Sequence, residues 1–341
     1  MGWTPGLQGR DCEIKMITLR EIEEARERLK GVAERTPLVR CYGVGGGEAF
    51  YLKAESLQPI GSFKLRGAYN KIAQLTVEER SHGVITYSSG NHAQGVAYAA
   101  RAMGCRAVVV MPAGAPRVKR EATEALGAEI VTVGDGSDER REKALELAAA
   151  HGYVVIPPYD DEAIIAGQGT CGLEILEQLP DVELVLVPVG GGGLSSGVAA
   201  AIKLSGSRAR VIGVEPALAN DAEQSLRLGR QISIPAAQAA STVADGLRTQ
   251  SIGQRNLEHL TAYLDGIVTV SEEEILRAMR WILTSARLMA EPSGAVTTAA
   301  WIFHREKLPA SRRTVAIISG GNAEPALVAK VMEMKEPAAK Q

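Results

Sequence analysis

Lys64 stands between Phe63 and Leu65 in the stretch Ile60-Gly61-Ser62-Phe63-Lys64-Leu65-Arg66-Gly67-Ala68. Gly61-Ser62 is a turn signal and a helical pattern follows, so the lysine falls at a helix start among apolar neighbours. Partial desolvation there lowers the pKa of an amine and makes it a nucleophile, whereas a solvated lysine opening an ordinary helix is the plainer alternative. Three further turns carry chemistry. Ser88-Ser89-Gly90-Asn91-His92 gathers hydroxyls, an amide and backbone N–H groups at a helix N-terminus, a place to hold a carboxylate. Gly190-Gly191-Gly192-Gly193-Leu194-Ser195-Ser196-Gly197 joins an apolar strand to a helix, so its N–H groups can turn toward an anion and form a phosphate cradle. Its register fails G-x-G-x-x-G and it lacks the lysine of a nucleotide P-loop. Ser319-Gly320-Gly321-Asn322 is a second glycine turn at a strand end. Glu215 and Asp221, with nearby carbonyls, have a spacing that could hold an oxygen-liganded cation such as Mg2+; taken alone, acidic loop residues read as solvated.

These turns need strands and helices to position them. A helix is expected over 18–29, where Thr18 followed by Glu21 has the capping-box pattern, and a strand over 49–54. Strands at 84–87, 107–111, 129–133 and 153–156 alternate with helices ending near 103, at 118–126 and at 138–150. A second series has strands at 182–189, 210–214, 267–270 and 314–318, with helices continuing from the glycine turn to about 204 and at 272–287, and another starting at Glu291-Pro292-Ser293-Gly294. Strand, short loop and helix in repetition build an α/β fold of parallel sheets covered on both faces. Ligands of such sheets bind at the C-terminal strand ends, where the glycine turns fall.

At 341 residues the chain has length for two lobes. Its composition is 45% hydrophobic and 23% charged with a net charge of -2, which disfavours nucleic acid and anionic lipid as partners. Only 4% is aromatic, too little for base-stacking platforms, so a small-molecule substrate is expected. Cys12, Cys41, Cys105 and Cys171 are widely spaced and read as free thiols in a reducing compartment. Without a signal peptide or a run long enough for a membrane helix, the expected location is cytoplasmic, with 1–15 a loose extension.

One cofactor uses the lysine, the cradle and the terminal serine together: pyridoxal phosphate has an aldehyde for the amine, a phosphate, and a ring nitrogen needing a hydrogen-bond partner. Ser62 to Ala68, Ser88 to His92, Ala166-Gly167-Gln168-Gly169-Thr170, Val189 to Leu194 and Ser319 to Asn322 occur in the order seen in the serine/threonine dehydratase and serine racemase family, and over about 18–330 the chain resembles it. The resemblance implies a fold-type II pyridoxal phosphate enzyme, tryptophan synthase β-like, with two open twisted, mostly parallel sheets and the cofactor in the cleft between domains. The large domain would comprise 16–75 and 160–341, with 76–159 inserted as the small one.

By the same resemblance Lys64 holds the cofactor and acts as base on the substrate Cα-H, while Phe63 and Asn91 flank the ring and its 3-hydroxyl. Gly190, Gly191, Gly192, Gly193 and Leu194 bind the phosphate and Ser319 faces the ring nitrogen. Ser88, Asn91 and His92 cradle the substrate carboxylate, and Arg141 matches a substrate-side arginine of racemase-like members. Ser89 matches their second base. Glu215, the Ala219 carbonyl and Asp221 fall where such members bind a divalent cation, which reverses the solvated reading. About twenty residues follow Asn322, so a regulatory domain and feedback by isoleucine are not expected.

The implied activity is ammonia-lyase chemistry on L-threonine or L-serine in a homodimer or homotetramer. Serine racemase and dehydratases of 3-hydroxyaspartate or phenylserine are the close alternatives. A nicotinamide-dependent oxidoreductase would share a doubly wound fold, but the failed dinucleotide fingerprint argues against it.

Overall fold

Runs of Val, Ile and Leu bounded by glycine, proline or serine turns form the strands, and the segments between them coil into helices. The computed structural model describes residues 15–42, 48–88, 90–115, 117–134 and 137–334, without the side chains of 137 and 138. The chain runs through α1 (Leu19–Leu29), β1 (Leu38–Cys41), β2 (Ala49–Ala54) and α2 (Lys64–Ala73). Next come α3 (Val77–His82), β3 (Val84–Tyr87), α4 (Asn91–Ala102), β4 (Ala107–Pro112), α5 (Arg117–Ala125), β5 (Glu129–Val133), α6 (Ser137–His151) and β6 (Val154–Val155). They are followed by α7 (Glu162–Gln178), β7 (Leu184–Pro188), α8 (Gly193–Leu204), β8 (Arg210–Pro216), α9 (Asp221–Leu228), α10 (Ala236–Ala240), α11 (Gln254–Tyr263) and β9 (Gly266–Val270). Last are α12 (Glu272–Trp281), α13 (Pro292–Phe303), β10 (Arg313–Ile318) and α14 (Pro325–Glu333). None of these helices is long and apolar enough to cross a membrane.

Six strands form one sheet in the order β1-β2-β10-β7-β8-β9, parallel except that β1 runs antiparallel to β2. Four form a second, wholly parallel sheet in the order β5-β4-β3-β6. The central strands β4 and β7 are buried along their whole length, as a parallel sheet covered on both faces requires. Register decides where the site lies. Ile318 of β10 pairs with Ala54 of β2 and Ala316 with Leu186 of β7, so the Ser319 turn, the glycine turn after β7 and the chain leading to Lys64 leave the same edge.

Helix α7 was not expected as a helix. Its residues 164–173 are buried on every side, with Gly167, Gly169 and Gly172 among them, so no amphipathic stripe marks it. The glycines have a packing cause. A Cβ on Gly167 would lie 2.7 Å from the Arg66 carbonyl, one on Gly172 would lie 2.9 Å from the Ala201 Cβ, and one on Gly197 would overlap the Ile165 carbonyl. Thus α7 lies backbone-close between α2, which begins at Lys64, and α8, which begins at the glycine turn. Helix α2 in turn sends Ala68 and Ile72 into the core under the four-stranded sheet, where they meet Val96, Ala97 and Val109.

Behind α2 is an ion cluster in which Lys53, Glu55 and Arg66 are buried and Glu174 nearly so. Arg66 reaches Glu55 at 2.7 Å and Glu174 at 2.7 Å, and Lys53 reaches Glu174 at 2.5 Å. Two smaller differences from expectation have local causes. The edge strand β1 is short and half-buried, so its sequence carries little pattern. The expected helix 272–287 is α-helical only to Trp281, then widens into a π-turn over 282–286 and stops at Arg287, whose φ of 58° is left-handed.

Candidate active site

The start of α2 is pinned before the helix begins. Ser62 bridges Gly320, the Phe63 N–H donates to the Ser319 carbonyl at 3.0 Å, and the Asn322 amide donates to the Ile60 carbonyl at 2.9 Å. Lys64 is thereby aimed into a cavity of about 150 Å³ that the turns after β7, β3 and β10 also line. Its Nζ donates to the Pro158 carbonyl at 2.7 Å and sits 5.2 Å from the Phe63 ring centroid. Burial pushes the amine down to about 8, so roughly a tenth of it is neutral and nucleophilic at pH 7.

Opposite the lysine, Gly190 to Gly193 wrap the first turn of α8, whose leading N–H groups have no intrahelical acceptor. Gly192 adopts φ 98°, and a Cβ at Gly191 would run into the Tyr159 ring, so side chains cannot replace these glycines without moving the wall. Leu194 follows, almost wholly buried. At the remaining wall Ser319 donates to the Ser293 carbonyl at 3.4 Å and is itself nearly buried. An amine, an anion cradle and a hydroxyl therefore face one space. These groups fit a lysine-linked phosphate ester with a ring nitrogen.

From the other sheet, β3 delivers Ser88 and Asn91 to the cavity, while Ser89 lies outside the described residues. The Ser88 hydroxyl accepts from the Gly90 N–H at 3.3 Å. Asn91 is held at both ends of its amide: it donates to Glu291 and accepts from the Asn322 amide at 2.9 Å. His92 also borders the cavity, but its Nε2 donates to the Ile156 carbonyl at 3.0 Å, leaving Nδ1 as a lone-pair acceptor. Burial, then the nearby Lys64 charge, hold it down at about 3, so the neutral side chain offers a carboxylate no second donor. Arg141 is exposed on α6, near enough for its charge to act on the Tyr87 and Tyr159 side chains; it is not part of the cavity wall.

Glu215 and Asp221 are both buried, near enough for the charge of Asp221 to act on Glu215. Glu215 accepts the Ala222 and Glu223 N–H groups at 3.1 and 2.9 Å, capping α9. Asp221 accepts from Thr249 at 3.4 Å through one oxygen, and its other oxygen is buried without a hydrogen-bond partner among the described residues. Burial pushes Glu215 well up and Asp221 to about 7. Ala219 is buried in the turn between them, but no third His, Cys, Asp or Glu completes a metal cluster among the described residues.

Among the wall residues that sequence reasoning missed, three are charged. Lys119 of α5 contacts Asp245 at 2.6 Å and Glu291 at 3.0 Å, with Lys119 and Glu291 almost wholly buried. Their sequence separation hides them; a lone lysine in α5 and an Asp-Gly turn were the only signals. A larger groove of about 610 Å³ borders Glu177, Asp181 and Glu183, but these pair with Arg26, Arg35 and Arg313 at an open surface.

Two mostly parallel sheets that bring a lysine amine, a glycine cradle and a hydroxyl to one cavity at their strand ends define the fold-type II class of lysine-anchored cofactor enzymes. Residues 29–320 match the model described as "pyridoxal-phosphate dependent enzyme", and the chain belongs to that family. It is 46% identical to an L-threonine ammonia-lyase of Thermotoga maritima over 93% of this chain and 78% of that one. A solved threonine deaminase from T.th. is 43% identical and superposes with a TM-score of 0.85, covering 90% of this chain and 99% of its own. Maize serine racemase, at 34% identity, gives 0.88 over 93% and 97%.

Proposed function

We propose that this protein is a pyridoxal-phosphate-dependent ammonia-lyase that converts L-threonine or L-serine to a 2-oxo acid and ammonia. The single observation carrying the proposal is the buried Lys64 amine facing the Gly190 to Gly193 cradle across one cavity, with Ser319 at its wall. The likeness to threonine ammonia-lyase and threonine deaminase supports the substrate class. When bound, the cofactor supplies an aldehyde for Lys64 and an electron sink for the substrate Cα.

In this reading the backbone N–H groups of Gly190 to Leu194 hold the phosphate, and Phe63 and Asn91 border the ring. Ser319 meets the ring nitrogen with a neutral hydroxyl, which leaves it less protonated than a carboxylate would and suits prompt loss of a β-hydroxyl. Lys64, lowered toward neutral by burial, takes the Cα proton. Ser88 and the N–H groups opening α4 hold the substrate carboxylate, His92 contributing through its backbone N–H rather than its ring. Arg141, outside the cavity wall, acts on it through its charge near Tyr87 and Tyr159.

The two sheets act as two lobes, 76–159 inserted between 16–75 and 160–341. Glu215, Asp221 and the Ala219 carbonyl form a place for Mg2+, supported by Asp221's unpartnered oxygen. A cytoplasmic homodimer or homotetramer completes the proposal. Serine racemase is the second reading, favoured by the likeness to the maize enzyme, with Ser89 as the base on the opposite face.

The test is a panel of L- and D-serine, L-threonine, 3-hydroxyaspartate and phenylserine, with and without Mg2+, scored for 2-oxo acid and for enantiomer. The holoenzyme is expected to absorb near about 410 nm, and Lys64→Ala to lose both that band and turnover. A protein that stays colourless with added cofactor, or a spectrum unchanged in Lys64→Ala, overturns the proposal. D-serine formation that persists unchanged in Ser89→Ala overturns the racemase base.

A further inference from the structure

Lys119 has no role in the chemistry above, yet it is a buried ammonium at the cavity wall. It sits on α5, in the unit built around the four-stranded sheet. Its partners come from elsewhere: Asp245 at 2.6 Å and Glu291 at 3.0 Å, the latter immediately before α13 in the unit of the six-stranded sheet. Glu291 also accepts from the amide of Asn91, at the start of α4 in the first unit. The Val118 N–H donates to Glu324 at 3.4 Å across the same boundary. One carboxylate therefore binds both helices that the smaller unit turns toward the cavity.

Packing alone does not account for the triad. A buried charge costs several kcal/mol to desolvate and an apolar side chain of similar volume fills space without that cost. What the charges add is direction: the ammonium can be satisfied only when the two units are together. The Lys119 stem also lies against the turn that leads into Asn91, where a Cβ on Gly90 would be 3.5 Å from Lys119 Cδ.

The geometry points to Lys119 as a positioning residue that ties α5 to Asp245 and Glu291 across the cleft and, through Glu291, sets the Asn91 amide in the cavity. This rests on the lobes of the proposed function, but its main test needs no turnover.

The measurement is amide hydrogen exchange of the holoenzyme, with Lys119→Met against the unaltered protein. Exchange in α4 and α5 is expected to rise roughly tenfold to a hundredfold, as loss of a buried ion pair allows, while α7 and α8 are unchanged. KM for the amino acid should rise by about tenfold, while half-saturation by cofactor moves less than about threefold, because Lys119 does not touch Lys64 or the glycine cradle. If Lys119→Met does not accumulate, the variant Lys119→Met, Asp245→Asn, Glu291→Gln removes the unpaired charges and carries the same expectation. Unchanged exchange in α4 and α5, or an equal rise in α7 and α8, overturns the proposal. A chain inactive toward threonine and serine would sink the ammonia-lyase assignment and leave the exchange result standing.

Discussion

Two buried ion clusters lie close to the candidate site and differ in balance and in company. Behind Lys64, two cations, Lys53 and Arg66, meet two carboxylates, Glu55 and Glu174, and the surplus donors are taken up. Arg66 also donates to Thr170 and the Glu34 carbonyl, and Lys53 to Gln178 and the Thr36 carbonyl. At the cavity, one cation, Lys119, meets two carboxylates. The first cluster joins β2, α2 and α7 as a closed knot that lines neither the cavity nor the larger groove. The second borders the cavity and spans two units. A saturated, neutral knot has one arrangement and serves as a mount for Lys64, whereas an unbalanced triad at an interface leaves negative charge that a ligand or a movement can answer.

Breaking the mount should do the most damage. Arg66→Met leaves Glu55 and Glu174 buried with only Lys53 for compensation and is expected to cost about 3–5 kcal/mol in urea denaturation. If Lys119→Met costs as much, the contrast between knot and tie fails. A smaller loss is expected from Gly167→Ala, whose Cβ would press within 2.7 Å of the Arg66 carbonyl and push α7 from α2: about 1–3 kcal/mol, with cofactor absorbance weakened because Lys64 and the glycine cradle flank that contact. Full stability in this variant would show that α7 has room the structure does not display.

Acid gives the most gradual test. Arg66 and its neighbours outweigh the burial cost at Glu55 and hold its pKa at about 2 against an ordinary 4.5. A depressed carboxylate contributes stability that is complete above 4.5 and lost as pH falls from there through 2. Glu291 is shifted the other way, upward by burial, so its charge is a cost that protonation relieves. His92, depressed to about 3 from 6.5, adds a loss that begins below 6.5 and grows by about 1.4 kcal/mol per pH unit. The raised carboxyls of Glu215, Asp221 and Glu291 act in the opposite sense, so the readout is the difference between two proteins: on going from pH 6.5 to 4.5 the urea stability of His92→Gln should decline less than that of the unaltered protein, by about 1.4 kcal/mol per pH unit. An equally steep decline in that variant removes His92 as its source.

Much of the architecture was legible because its signals are short-ranged. Strand β3 matches its expected span residue for residue, as do β2 and β5, since an apolar run between turn residues declares itself locally. Thr18 and Glu21 form the reciprocal cap that their spacing predicts. Helix α7 was hidden because glycine and the lack of an amphipathic stripe, which normally argue against a surface helix, here follow from close packing on two sides. The same division runs through the site. Lys64, Ser88, Asn91, Gly190 to Gly193 and Ser319 could be singled out because turn and helix-start chemistry is written in consecutive residues. Lys119, Asp245 and Glu291 could not, since Lys119 and Asp245 are 126 positions apart.

By itself, then, the amino-acid sequence determined which groups stand at strand ends and what each could do: an amine, a row of N–H groups, a hydroxyl. Tertiary structure alone decided which of them share a cavity, that the His92 ring is spent on a carbonyl, that Arg141 lies outside the cavity wall, and that one ammonium joins the two units. The physical reason is range. Backbone conformation answers to a few neighbours along the chain, whereas desolvation and ion pairing answer to whatever the fold brings within a few ångströms.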